Sequence, residues 1–247
     1  NPEGFFVWNN EVTIPGTGRV KMDDNGVFHF NDTTFYVPSA NGIYRNNPTR
    51  YISQKRFIVK SGDFTLGEYL AQLRKVHRDH AITGILFLFA AAFHDIVNSE
   101  ISAFPLLFLF GPGSSGKDQL SQGLRSFFGD IQSVISLSSK KSTGKAQIRE
   151  FAQFANVITH LSEYRNGDLE TNEMLKGLWD LNGYKFGTLD SRVSSDEVPI
   201  LSAPLVTSND CPTEEPLIIR MLWEEMVVNS FDEQAKQNFN KLDDMIK

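Results

Sequence analysis

Leu106-Leu107-Phe108-Leu109-Phe110-Gly111-Pro112-Gly113-Ser114-Ser115-Gly116-Lys117-Asp118 is the stretch that decides the fold. The apolar run after Pro105 reads as a strand buried on both faces, the kind found at the centre of parallel sheets. It runs directly into a G-x-x-x-x-G-K spacing, and a helical pattern opens near Lys117. A phosphate cradle requires that order of strand, loop and helix. Gly111, Gly113 and Gly116, with Ser114 and Ser115 between them, let the backbone curl so that its N–H groups point inward at phosphate oxygens. The helix start adds the positive end of its dipole, and Lys117 adds a point charge for the β- and γ-phosphates. A Gly/Ser-rich surface loop shares this composition but not the two flanks.

The position after the lysine departs from the common pattern. A Ser or Thr hydroxyl usually binds magnesium there; this chain has Asp118. A carboxylate is a good hard-oxygen ligand for Mg²⁺, though it also brings negative charge near the phosphates. A P-loop ATPase needs a second, acidic strand as well. Val157-Ile158-Thr159-His160-Leu161-Ser162-Glu163 supplies it, read as a strand ending at Ser162-Glu163. Glu163 is the candidate base for the attacking water. The position before it, commonly a magnesium-orienting Asp, is Ser162. The two departures complement each other, since the carboxylate has moved to the loop and the hydroxyl to the strand. Asp118 and Ser162 are therefore the expected metal ligands. The plain alternative makes Asp118 a helix-start residue and Ser162 a cap.

Further out, Ala203-Pro204-Leu205-Val206 is another buried strand, followed by Thr207-Ser208-Asn209-Asp210. Apolar runs near 134–137 and 156–161 alternate with helical stretches near 117–128, 145–155 and 171–180. That alternation specifies an α/β sheet with helices on both faces. Asn209 is expected to end a strand lying between the P-loop strand and the acidic strand, within reach of the γ-phosphate or its attacking water. An Asx turn before Pro212 is the simpler reading. Arg220 closes the apolar stretch Pro216–Ile219, at a distance suited to a finger reaching a neighbouring subunit's γ-phosphate.

Upstream, Leu66, Tyr69, Leu70, Leu73 and Val76 follow helical spacing. A second, buried helix is expected from about 81 to 97. Its apolar run Ala81–Phe93 is shorter than the roughly 18–20 residues of a membrane span. Residues 1–62 read as a β-rich segment, with Phe5–Trp8, Val27–Phe30 and Thr34–Val37 as strands of a small antiparallel sheet. Residues 63–247 read as a helical lead-in plus the P-loop domain.

Of the 247 residues, 40% are apolar and 22% charged, as in an ordinary soluble globular chain. The net charge of −6 argues against an overall nucleic-acid-binding coat. Two local basic clusters stand out: Lys140, Lys141, Lys145 and Arg149, and Arg45, Arg50, Lys55, Arg56 and Lys60. Such runs are more often solvated faces than binding sites. The single cysteine, Cys211, excludes an internal disulfide and a Cys-based zinc site, and a reducing, cytoplasmic setting is the expectation. His77 and His80 have a helical spacing that could suit a metal, but no carboxylate or cysteine partner is evident and no zinc site is expected, and His160 reads as a packed core residue. The chain opens at Asn1 without Met and without a signal peptide, and is expected to be a segment of a longer polypeptide.

With these elements in order, the chain resembles the ATPase module of phage- and plasmid-type primase-helicases, in the superfamily III helicase branch of the AAA+ class. The matching stretches are FLFGPGSSGKDQL, NVITHLSEYRNG, and VPILSAPLVTSNDCP followed by PLIIR, within residues 80 to 230. The resemblance implies ATP and Mg²⁺ as cofactors, a hexameric ring, single-stranded DNA as partner, and a primase fused to the chain or working with it. It also implies a channel hairpin before the sensor strand, matching Asn182 to Arg192. There Tyr184 or Phe186 would stack on bases, and Lys185 or Arg192 would contact phosphates. The rival expectation is a nucleotide-gated binding or assembly module with little turnover, because Asp118 and Ser162 depart from the family pattern. A small-molecule kinase is a weaker third, since no lid or acceptor site follows the acidic strand.

Overall fold

The computed structural model describes residues 4–47, 49–130, 132–138, 144–181, 185–187, 195–197, 200–228 and 232–247. The chain divides into two compact units. One comprises residues 1–63 with 126–133, the other residues 64–125 with 134–247.

In the smaller unit, β1 (Phe6–Val7), β2 (Val12–Ile14) and β3 (Gly18–Val20) form one antiparallel sheet, and β4 (Val27–Phe30) pairs with β5 (Thr33–Tyr36) in another. The single sheet expected from sequence is therefore two. The division falls at the Asp23–Gly26 turn, where the Asp23 carboxylate accepts from the N–H groups of Asn25 (2.9 Å) and Val27 (2.8 Å) and starts a separate hairpin. Phe5 meets Phe28, Phe30 and Phe35 edge-on, so the two sheets share one core with Val12 and Ile14. The basic cluster of this unit is largely engaged locally. Arg45 pairs with Asp24 (3.3 Å) and Lys60 with Asp130 (2.5 Å). Lys55 donates to the carbonyls of Tyr44 and Asn47, and the Arg50 guanidinium lies over Tyr44 and Tyr51. Cations held this way form a structured surface more readily than a phosphate groove.

The larger unit begins with α1 (Leu66–His77), entered through a capping box between Thr65 and Glu68. Next come α2 (His80–Ala92) and α3 (His94–Ile101). The sequence suggests one helix here. The structure breaks it at Phe93 (φ −119°, ψ 31°), with an 85° bend. The cause lies in packing: the turn places the fully buried His94 ring 4.3 Å from Phe104. No single helix among the described residues is long and apolar enough to cross a membrane. The remaining elements are β6 (Leu106–Phe110), α4 (Lys117–Ser126), β7 (Ile135–Ser136), α5 (Gly144–Phe151), β8 (Ala155–Tyr164), α6 (Leu169–Trp179), β9 (Lys185–Gly187), β10 (Ser195–Glu197), β11 (Leu201–Ser208), α7 (Glu215–Ile218), β12 (Met221–Glu225) and α8 (Glu233–Ile246).

Five strands form one parallel sheet in the order β12-β6-β11-β8-β7. Together with the flanking helices this is a P-loop NTPase-like α/β fold, accompanied by a small antiparallel β unit. Register sorts the side chains. Leu106, Phe108, Val206, Leu161 and Ile135 share one face and pack with Ile148 and Phe151 of α5, Leu175 and Leu178 of α6 and Leu217 of α7. Leu107, Leu109, Leu205, Thr207, His160 and Ser162 share the other face, where Thr207 meets α4.

His94 has neither ring nitrogen hydrogen-bonded. Burial lowers its pKa to about 4, and that of the buried His77 to about 4 as well. Because the folded pKa lies below the unfolded value of about 6.5, stability is full above pH 6.5. It falls as the unfolded chain takes up protons, and the loss is complete once pH has dropped through about 4. His94→Phe is expected to reduce the pH dependence of stability over this window by about 1.4 kcal/mol per pH unit without lowering stability at pH 7. Urea unfolding at pH 7 and pH 5 measures it, and an unchanged slope would count against the buried-neutral assignment.

Candidate nucleotide site

The strand β6 delivers Gly111 to the carboxyl end of the sheet, where its N–H donates to the Ser208 carbonyl at the end of β11 (3.2 Å). Gly111 has φ +145°, and a Cβ there would lie 2.0 Å from the Met226 carbonyl oxygen. That backbone is anchored in turn, because the Met226 N–H donates to Phe110 O (2.7 Å). Gly116 has φ +93°. Both glycines occupy backbone that a side chain strains or blocks, so the curl of the loop depends on them. Ser114 adopts the left-handed conformation without being glycine (φ +63°), the kind of local strain that concentrates at functional loops.

Lys117 is the first residue of α4 and is buried. Its ammonium donates to the carbonyls of Gly111 and Pro112 (2.7 Å each), and at longer range to Ser115 Oγ (3.4 Å) and Asn209 Oδ1 (3.3 Å). Burial lowers its pKa, and the neighbouring Asp118 charge opposes that shift. Asn209 follows β11 directly, and β11 lies between β6 and β8. The tertiary fold thus brings Lys117 and Asn209, 92 residues apart, into contact.

Asp118 sits in the first turn of α4 and accepts a hydrogen bond from Thr207 Oγ1 (3.3 Å). The sequence reading passed over Thr207. Its one available signal was a hydroxyl directly following the apolar run Ala203–Val206. Ser162 is the register partner of Thr207, on the same face of the sheet. Asp118 and Ser162 form no hydrogen bond to one another among the described residues; Thr207 is the hydroxyl that Asp118 meets. Arg125, buried at the other end of α4, draws charge stabilisation from Asp118, while its own burial lowers its pKa to about 10. Behind Thr207, the buried His160 ring places Nε2 2.9 Å from Thr207 Oγ1. Burial, with Arg125 secondary, lowers the His160 pKa to about 3, so the imidazole is neutral.

The acidic strand differs from expectation. It runs on to Tyr164, and Glu163 is an extra residue in its register: Thr207 pairs with Ser162, and Ser208 with Tyr164. Glu163 has φ +61°. This bulge restores Tyr164 to the core face beside Phe108 and re-aims Glu163. The exposed Glu163 carboxylate accepts from Ser136 Oγ (2.6 Å) and from Ser138 Oγ. Those hydroxyls, Ser136 first, hold its pKa below the ordinary carboxylate value. Both serines are partners that the sequence reading did not pick out.

Arg220 stands apart from this cluster. Its carbonyl accepts from the Leu106 N–H, and β12 starts beside Leu106. That is the amino end of the sheet, a five-residue strand away from the loop, or about 16 Å. Its guanidinium donates to the Pro216 carbonyl. Arg220 is therefore not part of the loop's own site in this chain. His80 also differs from expectation, since Glu224 of β12 supplies a carboxylate 2.6 Å from its Nδ1. Among the suggested DNA-contacting residues, Lys185 lies in β9, which pairs antiparallel with β10. Tyr184 and Arg192 lie outside the described residues, as do Lys140 and Lys141.

No family model and no curated protein matches the chain. Solved structures do. The active helicase Cch of SCCmec type IV matches 96% of this chain and 42% of that one, with 12% identity and a TM-score of 0.50. The fold is helicase-like. Two others match with lower TM-scores. A JCV helicase with a bound thiazolopyridinyl-phenoxyphenyl acetamide aligns over 75% of this chain and 52% of that one (15% identity, TM-score 0.45). The C-terminal region of NrS-1 aligns over 90% and 50% (17% identity, TM-score 0.41). The chain spans about half the length of these structures or less, and at such identities the likeness concerns the fold alone.

Proposed function

We propose that the larger unit is an ATP-driven motor domain, a ring-forming DNA helicase or replication-initiator ATPase acting on single-stranded DNA. The observation that carries this reading is the contact between Lys117 and Asn209 across the carboxyl ends of β6 and β11. It joins a phosphate-binding loop to a polar strand end in a helicase-like sheet. The backbone N–H groups of 111–117 and the Lys117 ammonium would hold the triphosphate, with Lys117 exchanging loop carbonyls for phosphate oxygens. Asn209 would orient the attacking water or the γ-phosphate, and Glu163 would accept the water's proton.

The residues present also fit a magnesium ion held jointly with phosphate. Asp118 has one carboxylate oxygen on Thr207, while its Oδ2 makes no hydrogen bond among the described residues. Mg²⁺ commonly takes one or two carboxylates plus substrate phosphates. Bound there, it would neutralise charge on the β- and γ-phosphates. Ser162 is the second ligand in this reading.

Arg220 acts in trans in this proposal, because its own loop lies at the far end of the sheet. Subunits carrying Arg220→Ala and subunits carrying Lys117→Ala, each inactive alone, are then expected to regain ATPase when mixed under exchange. Each composite site would have one intact half from each parent. Mixtures that never exceed the sum of the parents would remove the finger from Arg220 or the ring from the proposal. Steady-state ATPase with and without single-stranded DNA tests the motor itself. A rival, a nucleotide-gated assembly module with little turnover, draws support from the Glu163 carboxylate being engaged by Ser136 and Ser138. It expects nucleotide binding with negligible, DNA-insensitive hydrolysis.

A further inference from the structure

Asp118 replaces a hydroxyl residue at the position next to the phosphates, and a carboxylate there has two ways to turn. We propose that Thr207 is the positioning residue that selects one of them, with His160 fixing Thr207 from behind; this rests on the nucleotide and magnesium reading of the same site. Thr207 has one hydroxyl proton and two neighbours that compete for it, Asp118 Oδ1 at 3.3 Å and His160 Nε2 at 2.9 Å.

The buried surroundings decide between them. If Thr207 donated to His160, the Asp118 carboxylate would face only lone pairs on Oγ1. His160 would then carry its proton on Nδ1, which has no hydrogen-bond partner. A buried N–H left without an acceptor is costly. If His160 instead donates Nε2–H to Thr207, the threonine proton is free for Asp118, and Nδ1 is left only with an unpaired acceptor. The second arrangement satisfies both donors. It yields a directed chain, His160 Nε2–H to Thr207 Oγ1–H to Asp118 Oδ1, that leaves Asp118 Oδ2 to face the phosphates and their ion. His160 is 2% exposed and Thr207 3% exposed, so water does not compete for the bond between them, while the exposed Asp118 carboxylate meets Thr207 through Oδ1 alone.

Thr207 thereby orients the displaced carboxylate, a task separate from the metal ligation expected of Ser162. The geometry is built from β8, β11 and α4 together. Thr207 and Ser162 are register partners, and His160 lies two residues before Ser162 on the same face. The role is one of orientation, since Thr207 contacts neither nucleotide nor ion in the proposal.

Two measurements test it. Equilibrium binding of a fluorescent ADP analogue, in Mg²⁺ and in EDTA, isolates the part of nucleotide affinity that depends on the ion. Thr207→Val keeps the shape and removes the hydroxyl. It is expected to cut the Mg²⁺-dependent gain about 10-fold or more, the scale of a hydrogen bond to a charged group, with the EDTA affinity unchanged. Thr207→Ser is expected to keep the gain. An undiminished gain in Thr207→Val overturns the proposal, and so does an equal loss in both buffers, which would mark a merely structural threonine. The second measurement reads the ring of the wild-type chain directly. ¹⁵N-histidine NMR of the wild-type chain has five histidines to resolve, with His160 assigned by the signal missing in His160→Gln. A neutral ring protonated on Nε2 is expected, and protonation on Nδ1 overturns the chain of donors. Failure of the wild-type chain to bind nucleotide in either buffer would instead overturn the nucleotide reading itself, and the tautomer result separates the two failures.

Discussion

Glu163→Gln is expected to leave nucleotide affinity unchanged and to lower ATP turnover by about 10²–10⁴-fold, the usual contribution of a general base. Glu163 is the residue that the bulge in β8 singles out, with a positive φ and a carboxylate facing the Ser136 and Ser138 hydroxyls. Glutamine is nearly isosteric and its amide oxygen still accepts from one serine, so the bulge is expected to survive. Those hydroxyls hold the folded pKa below the ordinary carboxylate value. The group therefore stays ionised through neutral pH, and the acid limb of the rate profile should lie below the range of a free glutamate. Removing the first of them, in Ser136→Ala, is expected to move that limb upward. Single-turnover hydrolysis against pH, with nucleotide binding measured in parallel, checks both variants. Wild-type turnover in Glu163→Gln would mean that the base lies elsewhere, and the engaged carboxylate would then favour a module that binds without hydrolysing.

Lys117→Ala should abolish function at the earlier step of binding. Each hydrogen bond to a charged group contributes about 1.5–3 kcal/mol, so losing the ammonium from two phosphates is expected to weaken nucleotide binding by at least about 100-fold. The fold should hold, because the Pro112 carbonyl lies in the exposed stretch 112–114 beside the lysine, and the buried Gly111 is held separately by its own N–H bond to the Ser208 carbonyl. Water can take its place there. Arginine should not rescue: its planar fork is larger and cannot satisfy two adjacent carbonyls in the same space as a tetrahedral ammonium. Isothermal titration with an ATP analogue and far-ultraviolet circular dichroism separate lost binding from lost structure. Undiminished affinity in a folded Lys117→Ala protein would remove the loop from any nucleotide site.

What could be read from the sequence alone was everything carried by contiguous residues. Leu106–Phe110 is a strand because five successive apolar side chains suit burial on both faces. The loop after it curls because glycine stands at 111 and 116, where the backbone needs conformations that other residues avoid. The alternation of apolar runs and helical periods implied a parallel sheet, and put Asn209 just past the end of one of its strands. These signals are local, since each rests on the stereochemistry of a few neighbouring residues.

The tertiary structure decided what depends on pairing between distant segments. A one-residue insertion in the register of β8 against β11 turns Glu163 away from the pattern of its strand, and no local signal marks it, because a bulge exists only relative to a partner strand. Arg220 follows an apolar stretch in sequence, yet the parallel pairing of β12 with β6 sets it at the end of the sheet opposite the phosphate loop. The helix expected across 81–97 breaks at Phe93 because Phe104, ten residues beyond His94, offers that ring a buried face. Thr207 is one of two hydroxyl residues in Thr207-Ser208-Asn209. Only the stacking of α4 on the β8–β11 face brings Asp118 to one side of it and His160 to the other. Spacing along a chain fixes which groups are near each other within a turn or a strand. Which distant groups meet, and which end of a sheet they share, follows from register and packing, and those are properties of the assembled fold.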